Sequence, residues 1–486
     1  MDNTNWKSKE NLSMLADFYE FTMANGYLKN NMGDKIAYFD MFFRSVPDDG
    51  GFAIMAGLEQ LIEYLQNLTF TEEDIEYFAS KEMFSDEFLD YLRNFEFTCD
   101  VWAIPEGTPI FPQEPLVIVR GPVIQAQLVE TMLLLTINHQ SLIATKTNRI
   151  VRAAEGRAVM EFGSRRAQGA DGATLGARAS YIGGCIGTAN TICDRDFGIP
   201  ALGTMAHSWV QMFPNEYEAF KAYAETYPDK CVLLVDTYNT LKSGVPTAIK
   251  VFDEILTPMG YRPAGIRLDS GDLAYLSKEA RKILDEAGYE DCPIVASSSL
   301  DEYVIRDLID QGAAIDSFGV GERLITAKSN PVFGGVYKLT SVEEDGKIVN
   351  KIKVSENVGK ITTPGFKQVY RFFDKDSNKA LADVITLHDE VIDESKPYRI
   401  FHPIHTWKQK TLTNFYAKKL LVRIFDQGKL VYDCPDIEDI RDFTAKQVEL
   451  MWDELKRFIK PYKYHVDLSE KLWDVKNSLL NKHENK

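Results

Sequence analysis

Residues 265–321 read GIRLDSGDLAYLSKEARKILDEAGYEDCPIVASSSLDEYVIRDLIDQGAAIDSFGVG, and the pattern in this stretch decides the fold. Three short apolar runs, at 265–269, 294–297 and 317–320, each end in polar residues, and helical sequence stands between them. The helix expected over 276–287 stops at Gly288 and the one over 302–311 at Gly312, where a left-handed terminal residue favours glycine. Buried strands alternating with helices predict a parallel sheet with crossovers. Further back, 158–161, 201–204 and 232–236 are runs of the same kind. Six such units in a row, polar at each strand's C-terminal end, predict an α/β fold built on an irregular TIM-like barrel.

The flanks have a different texture. Helices are expected at 14–27, 58–68 and 74–84, with strands at 36–44 and 115–119. Gly121-Pro122 punctuates the chain before a long apolar helix over 124–154. After Tyr337, strands are expected at 348–354, 367–373 and 382–386, a strand pair within 418–432, and charged helices at 437–457 and 468–480. The expected domains are 1–123 (α+β), 124–340 (barrel) and 341–486 (α/β with a helical tail). The first and post-barrel segments together would form an α+β domain beside the barrel.

Composition narrows the function classes. The chain has 486 residues, 45% hydrophobic and 26% charged, which excludes a disordered, collagen-like or disulfide-stapled protein. Its formal charge of -17 repels a phosphate backbone and argues against nucleic acid as a partner. An anionic substrate must then be held by local cations and backbone N–H groups. Six scattered cysteines without a CxxC pair read as reduced thiols, and the expected location is cytoplasmic. No secretory-type apolar segment is read at 1–10. The apolar stretch near 133–135 is interrupted by Thr136, Asn138 and His139, so no membrane span is expected.

In a barrel the polar residues after each strand face one cleft. They are Glu161 to Arg166, Thr204 to His207, Asp236, Arg267 to Asp272, Ser297 to Ser299 and Gly319 to Glu322. There is no cysteine–histidine cluster of zinc spacing, no Walker A loop, no HExxH and no GxSxG. Arginines, carboxylates, a histidine and glycine turns suit phosphates and Mg²⁺ rather than acyl transfer.

Taken in order, DFY at 17–19, EFGSRR at 161–166, GTMAHS at 203–208, VDTY at 235–238, RLDSGD at 267–272 and FGVG at 318–321 resemble the nicotinate phosphoribosyltransferase family. KITTPGFKQVYR at 360–371 matches that family's segment after the barrel, and the resemblance spans roughly residues 12–375. It implies that nicotinate and 5-phosphoribosyl-1-pyrophosphate (PRPP) give nicotinate mononucleotide and pyrophosphate, the first step of NAD salvage from nicotinate. It also implies ATP as co-substrate, Mg²⁺, and a homodimer with active sites shared across its interface.

The residues can be weighed against that chemistry. A neutral imidazole is a good phosphoryl acceptor, and by resemblance His207 is the autophosphorylated residue. A flat pyridine carboxylate needs an aromatic face and a fork of donors. Phe162 supplies the face and Arg165 meets the carboxylate or a phosphate; alternatively, Phe162 packs the core and Arg165 or Arg166 makes an internal ion pair. The resemblance places Tyr19 on the ring's other face, from a neighbouring subunit. Asp236 and Asp269 suit ribose hydroxyls or Mg²⁺, and Arg267 suits charge on departing pyrophosphate. Ser298, Gly319 and Gly321 belong to turns that suit the 5′-phosphate, although the glycines serve equally as turn formers. Thr204 and Thr326 complete the expected substrate-binding set. Glu322 is an awkward neighbour for an anion and is expected to point away or pair with Arg323.

Other features take plainer roles. Asp272 joins the carboxylates of Asp236 and Asp269 or instead caps the helix that follows, His402 and His405 lack the partners of a metal site, and 436–457 is a solvated helix. A nicotinamide enzyme would carry an acid in a Gly-Thr-Asp-Thr stretch where this chain has Gly187-Thr188-Ala189-Asn190, which favours the acid substrate. A barrel glycosidase using Asp236 and Asp269 leaves His207 and the FGVG turn unexplained. A non-catalytic barrel that binds a phosphoribosyl metabolite is the other-class alternative.

Overall fold

The computed structural model describes residues 11–484. They divide into two compact units: one is Ile143–Pro331, the other joins the chain up to Leu142 with the chain from Val332 onward. The divisions fall at 142/143 and 331/332, where the sequence reading drew 123/124 and 340/341. The helix Glu130–Ala153 runs through the first division, and the strand Gly335–Glu344, just past the second, pairs with Ile36–Phe43.

The unit 143–331 holds five short parallel strands: β1 (Ala158–Glu161), β2 (Val232–Leu234), β3 (Gly265–Leu268), β4 (Ile294–Ser297) and β5 (Ser317–Val320). Their order across the sheet is β1-β5-β4-β3-β2. Two isolated parallel bridges extend it beyond β1, Glu161 to Thr188 and Thr188 to Ala201. Seven parallel segments therefore follow one another, and among the described residues no backbone pairing joins Ala201 to β2. The strand expected at 201–204 is a single bridge at Ala201.

The crossover helices follow from their sequences. Leu273–Glu286 buries Leu273, Ala274, Ser277, Ala280 and Leu284, one face of a 3.6-residue period. Asp272 caps it by accepting the N–H of Tyr275 at 3.0 Å, and Gly288 follows it at φ +81°. Asp301 caps Glu302–Asp310 through Tyr303 and Val304 at 3.0 and 2.9 Å. Because the strands run parallel, the polar residues after them collect at one end of the sheet.

The other unit is built on an antiparallel seven-stranded sheet. Its order is Lys347–Asn350, Gly335–Glu344, Ile36–Phe43, Val117–Pro122, Asp100–Ala103, Val422–Asp426 and Lys429–Leu430. A four-stranded sheet has the order Phe415–Lys419, Lys367–Asp374, Ala380–Leu387 and Val466–Leu468, the last pair parallel. Segments from both ends of the sequence thus share this unit. Lys367 and Arg371, in the KITTPGFKQVYR motif, are buried cations here, paired with Asp40 at 2.8 Å and Asp383 at 2.6 Å.

Several boundaries differ from expectation. The first helix is Phe18–Lys29, starting after Asp17. The long apolar helix is two, Val123–Leu128 and Glu130–Ala153, parted at Val129, where ψ is -3°. The helix expected over 437–457 ends at Glu449, and Trp452 is extended (ψ 148°) before the short turn Asp453–Lys456. The six cysteines carry free thiols, five of them buried and Cys434 exposed. Among the described residues no helix is long and apolar enough to cross a membrane.

Candidate active site

The polar residues that follow the parallel strands meet in a hydrogen-bonded cluster around Arg267. Arg267 is the third residue of β3, and its guanidinium donates from Nε to Ser297 Oγ at 2.9 Å. It also donates from Nη1 to Thr204 Oγ1 at 3.2 Å and from Nη2 to Asp269 Oδ1 at 2.9 Å. Ser297, which ends β4, donates in turn to Asp269. The end of β3, the end of β4 and the segment after Ala201 are therefore tied through one planar cation.

Asp236 follows β2 and is buried. Its Oδ2 accepts the backbone N–H of Asp269 at 2.9 Å and the Ser270 hydroxyl at 2.6 Å. Its Oδ1 is buried with no hydrogen-bond partner among the described residues. His207 opens the short helix His207–Gln211, and its Nε2 lies 3.9 Å from Asp236 Oδ1 and 3.7 Å from Asp269 Oδ2. The other ring nitrogen, Nδ1, shares a hydrogen bond with Thr237 Oγ1 at 3.1 Å. The ring is partly exposed, open to a reacting group, between two carboxylates.

Phe162 follows β1 and is fixed by its N–H to Val320 O at 2.8 Å. Its ring lies against Gly319, where a Cβ would come within 2.6 Å of the ring, and 5.7 Å from the Arg267 guanidinium. Gly321 passes the Phe162 carbonyl at a distance that leaves a Cβ only 3.1 Å away. Ser298 and Ser299, after β4, have φ of +97° and +49°, a left-handed turn without glycine, as is common where a backbone is shaped for function.

Among the described residues, the other expected residues make no hydrogen bond to this cluster. Arg165 and Arg166 are exposed on the short turn Ser164–Arg166, and among the described residues neither makes an ion pair. Thr326 ends the short helix Glu322–Ile325, and its hydroxyl donates to Glu322 O at 2.7 Å. With Arg166, Gln168, Glu322, Lys328 and Pro331 it lines an open cavity of about 330 Å³. Glu322 pairs with Lys328 at 2.6 Å, which lowers its pKa, whereas Arg323 pairs with Asp301. Of the two arrangements expected for Glu322, the pair with Arg323 does not form: each residue has another partner. Tyr19 belongs to the other compact unit, exposed on the helix Phe18–Lys29. His402 Nδ1 accepts the N–H groups of Ile404 and His405, a turn-forming role.

Models of the nicotinate phosphoribosyltransferase N-terminal domain, family and C-terminal domain match residues 14–138, 157–382 and 366–476. The nicotinate phosphoribosyltransferase of Bacillus subtilis strain 168 is 47% identical over 96% of this chain and 95% of its own length. The chain belongs to the nicotinate phosphoribosyltransferase family. The Dictyostelium discoideum nicotinate phosphoribosyltransferase is 37% identical over 96% of this chain and 88% of its own. The crystal structure of human nicotinic acid phosphoribosyltransferase superposes with a TM-score of 0.83 at 29% identity, covering 96% of this chain and all of that one.

Within this site, two hydroxyls were given no role of their own in the sequence reading, although both stand in motifs it quoted: Thr237, on the histidine, and Ser270, on Asp236. Their only signal is a hydroxyl residue directly after an aspartate at a strand end, in VDT and LDS.

Proposed function

We propose that this enzyme joins nicotinate to PRPP, giving nicotinate mononucleotide and pyrophosphate, and couples that step to ATP hydrolysis through a phosphohistidine at position 207. The observation that carries the coupling is the placement of His207 Nε2 within 4 Å of two carboxylates, beside an arginine bound to three side chains. In this reading the γ-phosphoryl of ATP passes to the imidazole: its bond to the ADP oxygen breaks as a P–N bond forms, and ADP leaves. The pyridine nitrogen then attacks C1 of the ribose, and the C1–O bond breaks to release pyrophosphate. Water later cleaves the P–N bond to give phosphate and free histidine. Positioning and charge stabilisation carry the transfer, since the attacking nitrogen needs no deprotonation.

The donor set fits Mg²⁺, an ion that takes one or two carboxylates and completes its shell with water and phosphate oxygens. Asp236, with a buried oxygen lacking a hydrogen-bond partner, and Asp269 would hold it. When bound, the ion supplies countercharge to pyrophosphate. Arg267 orients Asp269 and faces the departing charge, while Phe162 offers its ring to the pyridine. Arg165, without an ion pair of its own, is available to the nicotinate carboxylate. Thr204, Ser298, Gly319, Gly321 and Thr326 are read as contacts to the phosphoribosyl group. Ala189 is exposed and carries no carboxylate, which favours nicotinate over nicotinamide. The seven parallel segments are read as the wall of an incomplete barrel.

The test is mononucleotide and ADP formation with PRPP and Mg²⁺, offering nicotinate or nicotinamide, with and without ATP. His207→Asn should abolish ATP hydrolysis and acid-labile labelling from γ-³²P-ATP, and leave slow ATP-independent synthesis. Persistent ATP coupling in that variant would overturn the phosphohistidine. Product from nicotinamide alone would overturn the inference from Ala189.

A further inference from the structure

Glu161 is the last residue of β1, fully buried, and plays no part in the chemistry above. Burial of a carboxyl is costly, and it pushes the pKa of Glu161 above the ordinary range. An apolar residue could fill the volume. The carboxyl is instead divided between two turns. Oε1 accepts the N–H of Gly163, and Oε2 accepts the Thr188 hydroxyl at 2.6 Å. Thr188 Oγ1 in turn accepts the N–H of Asn190 at 3.0 Å. The Glu161 main chain reaches the same turn, its N–H to Gly187 O at 3.0 Å and its carbonyl to the N–H of Ala189 at 2.8 Å.

The effect is to pin Phe162 from both sides. Its own N–H is held by Val320, and the next residue is held by Glu161. Gly163 has no room for a side chain: a Cβ would stand 2.7 Å from Ile325 Cβ and 2.8 Å from Glu161 Oε1. With the backbone fixed on either side, the Phe162 ring is confined over Gly319. The second turn held by Glu161 is the one that presents Ala189.

We infer that Glu161 is a positioning residue for nicotinate, clamping the Phe162 turn and the Thr188–Asn190 turn into one rigid ring-binding wall. This rests on Phe162 being the stacking face for the pyridine. Glu161 acts through Phe162, so its loss weakens nicotinate binding and spares the chemical step.

The test is steady-state kinetics of Glu161→Leu, Glu161→Gln, Thr188→Val and Phe162→Ala, with thermal melting to establish folding. Glu161→Leu removes both acceptors and should raise the nicotinate KM about tenfold with kcat within about twofold. Glu161→Gln keeps an oxygen for the Gly163 N–H and should recover most of that loss. Thr188→Val breaks one link without touching the carboxyl and should raise the KM about threefold, which preserves the test if Glu161→Leu fails to fold. On a Phe162→Ala background, Glu161→Leu (or Thr188→Val) should add less than about twofold, since its effect runs through the missing ring. An unchanged KM in folded Glu161→Leu, or the same increase with and without Phe162, overturns the inference. A normal nicotinate KM in Phe162→Ala itself overturns the stacking role and the inference with it.

Discussion

Arg267 donates to Ser297, Thr204 and Asp269 at once, and only a planar fork can reach these acceptors from one position. Arg267→Lys keeps the charge but supplies a single point donor. The expected result is a fall of about 100-fold in kcat together with a lowered melting temperature, because the fork that faces developing charge also holds Ser297, Thr204 and Asp269. Retained kcat would place the stabilisation of pyrophosphate elsewhere. Arg267, Asp236, Asp269 and His207 are legible in the sequence because each stands at or just after an apolar run, where a buried strand gives way to solvent. Thr237 and Ser270 are not, because a hydroxyl after an aspartate looks the same whether it forms a turn or orients a partner. Glu322 illustrates a further limit. Adjacent residues on a helix face apart, so Arg323 turns to Asp301 and Glu322 to Lys328.

At the scale of elements, the strands β1 to β5 fall where apolar runs meet polar ends, since a parallel strand covered on both faces is mostly apolar. What periodicity does not carry is ladder length: the run at 201–204 keeps a single bridge. Nor does it show the wide turns Thr240–Gly244 and Phe252–Leu256, where i+5 backbone bonding is set by packing rather than by side-chain pattern. The FGVG turn is a case where the motif is visible and its cause is not. Gly319 looks like a phosphate-binding glycine, yet the structure gives it a second reason, the Phe162 ring seated where its side chain would be. Gly319→Ala must displace that ring. It should raise the nicotinate KM by at least about tenfold while the protein still folds, because one aromatic ring can move more cheaply than β5. A change confined to the PRPP KM would assign Gly319 to the phosphate alone.

For the molecule as a whole, the proposed role of Tyr19 makes a prediction about assembly. It stands on the helix Phe18–Lys29 in the unit built from the two ends of the chain, whereas the cluster of Arg267, Asp236, Asp269 and His207 belongs to the other unit. Along and just before that helix, Leu15, Phe18, Tyr19 and Met23 are exposed large hydrophobics at helical spacing. Such a stripe on a chain of net charge -17 is a surface suited to association by apolar contact rather than by charge. If two copies pair through it and each lends Tyr19 to the other's site, Tyr19→Ala and His207→Asn remove different halves of one shared centre. Each variant alone then has two defective sites per dimer. A mixed dimer has one site with both defects and one with neither, so after random exchange of equal amounts about a quarter of all sites are intact. The measurement is ATP-stimulated mononucleotide synthesis by the two variants before and after mixing, with sedimentation to establish that mixed dimers form. Recovery to about a quarter of parent activity is the expected result. Mixed dimers without recovery would show that Tyr19 does not complete the site of the other copy.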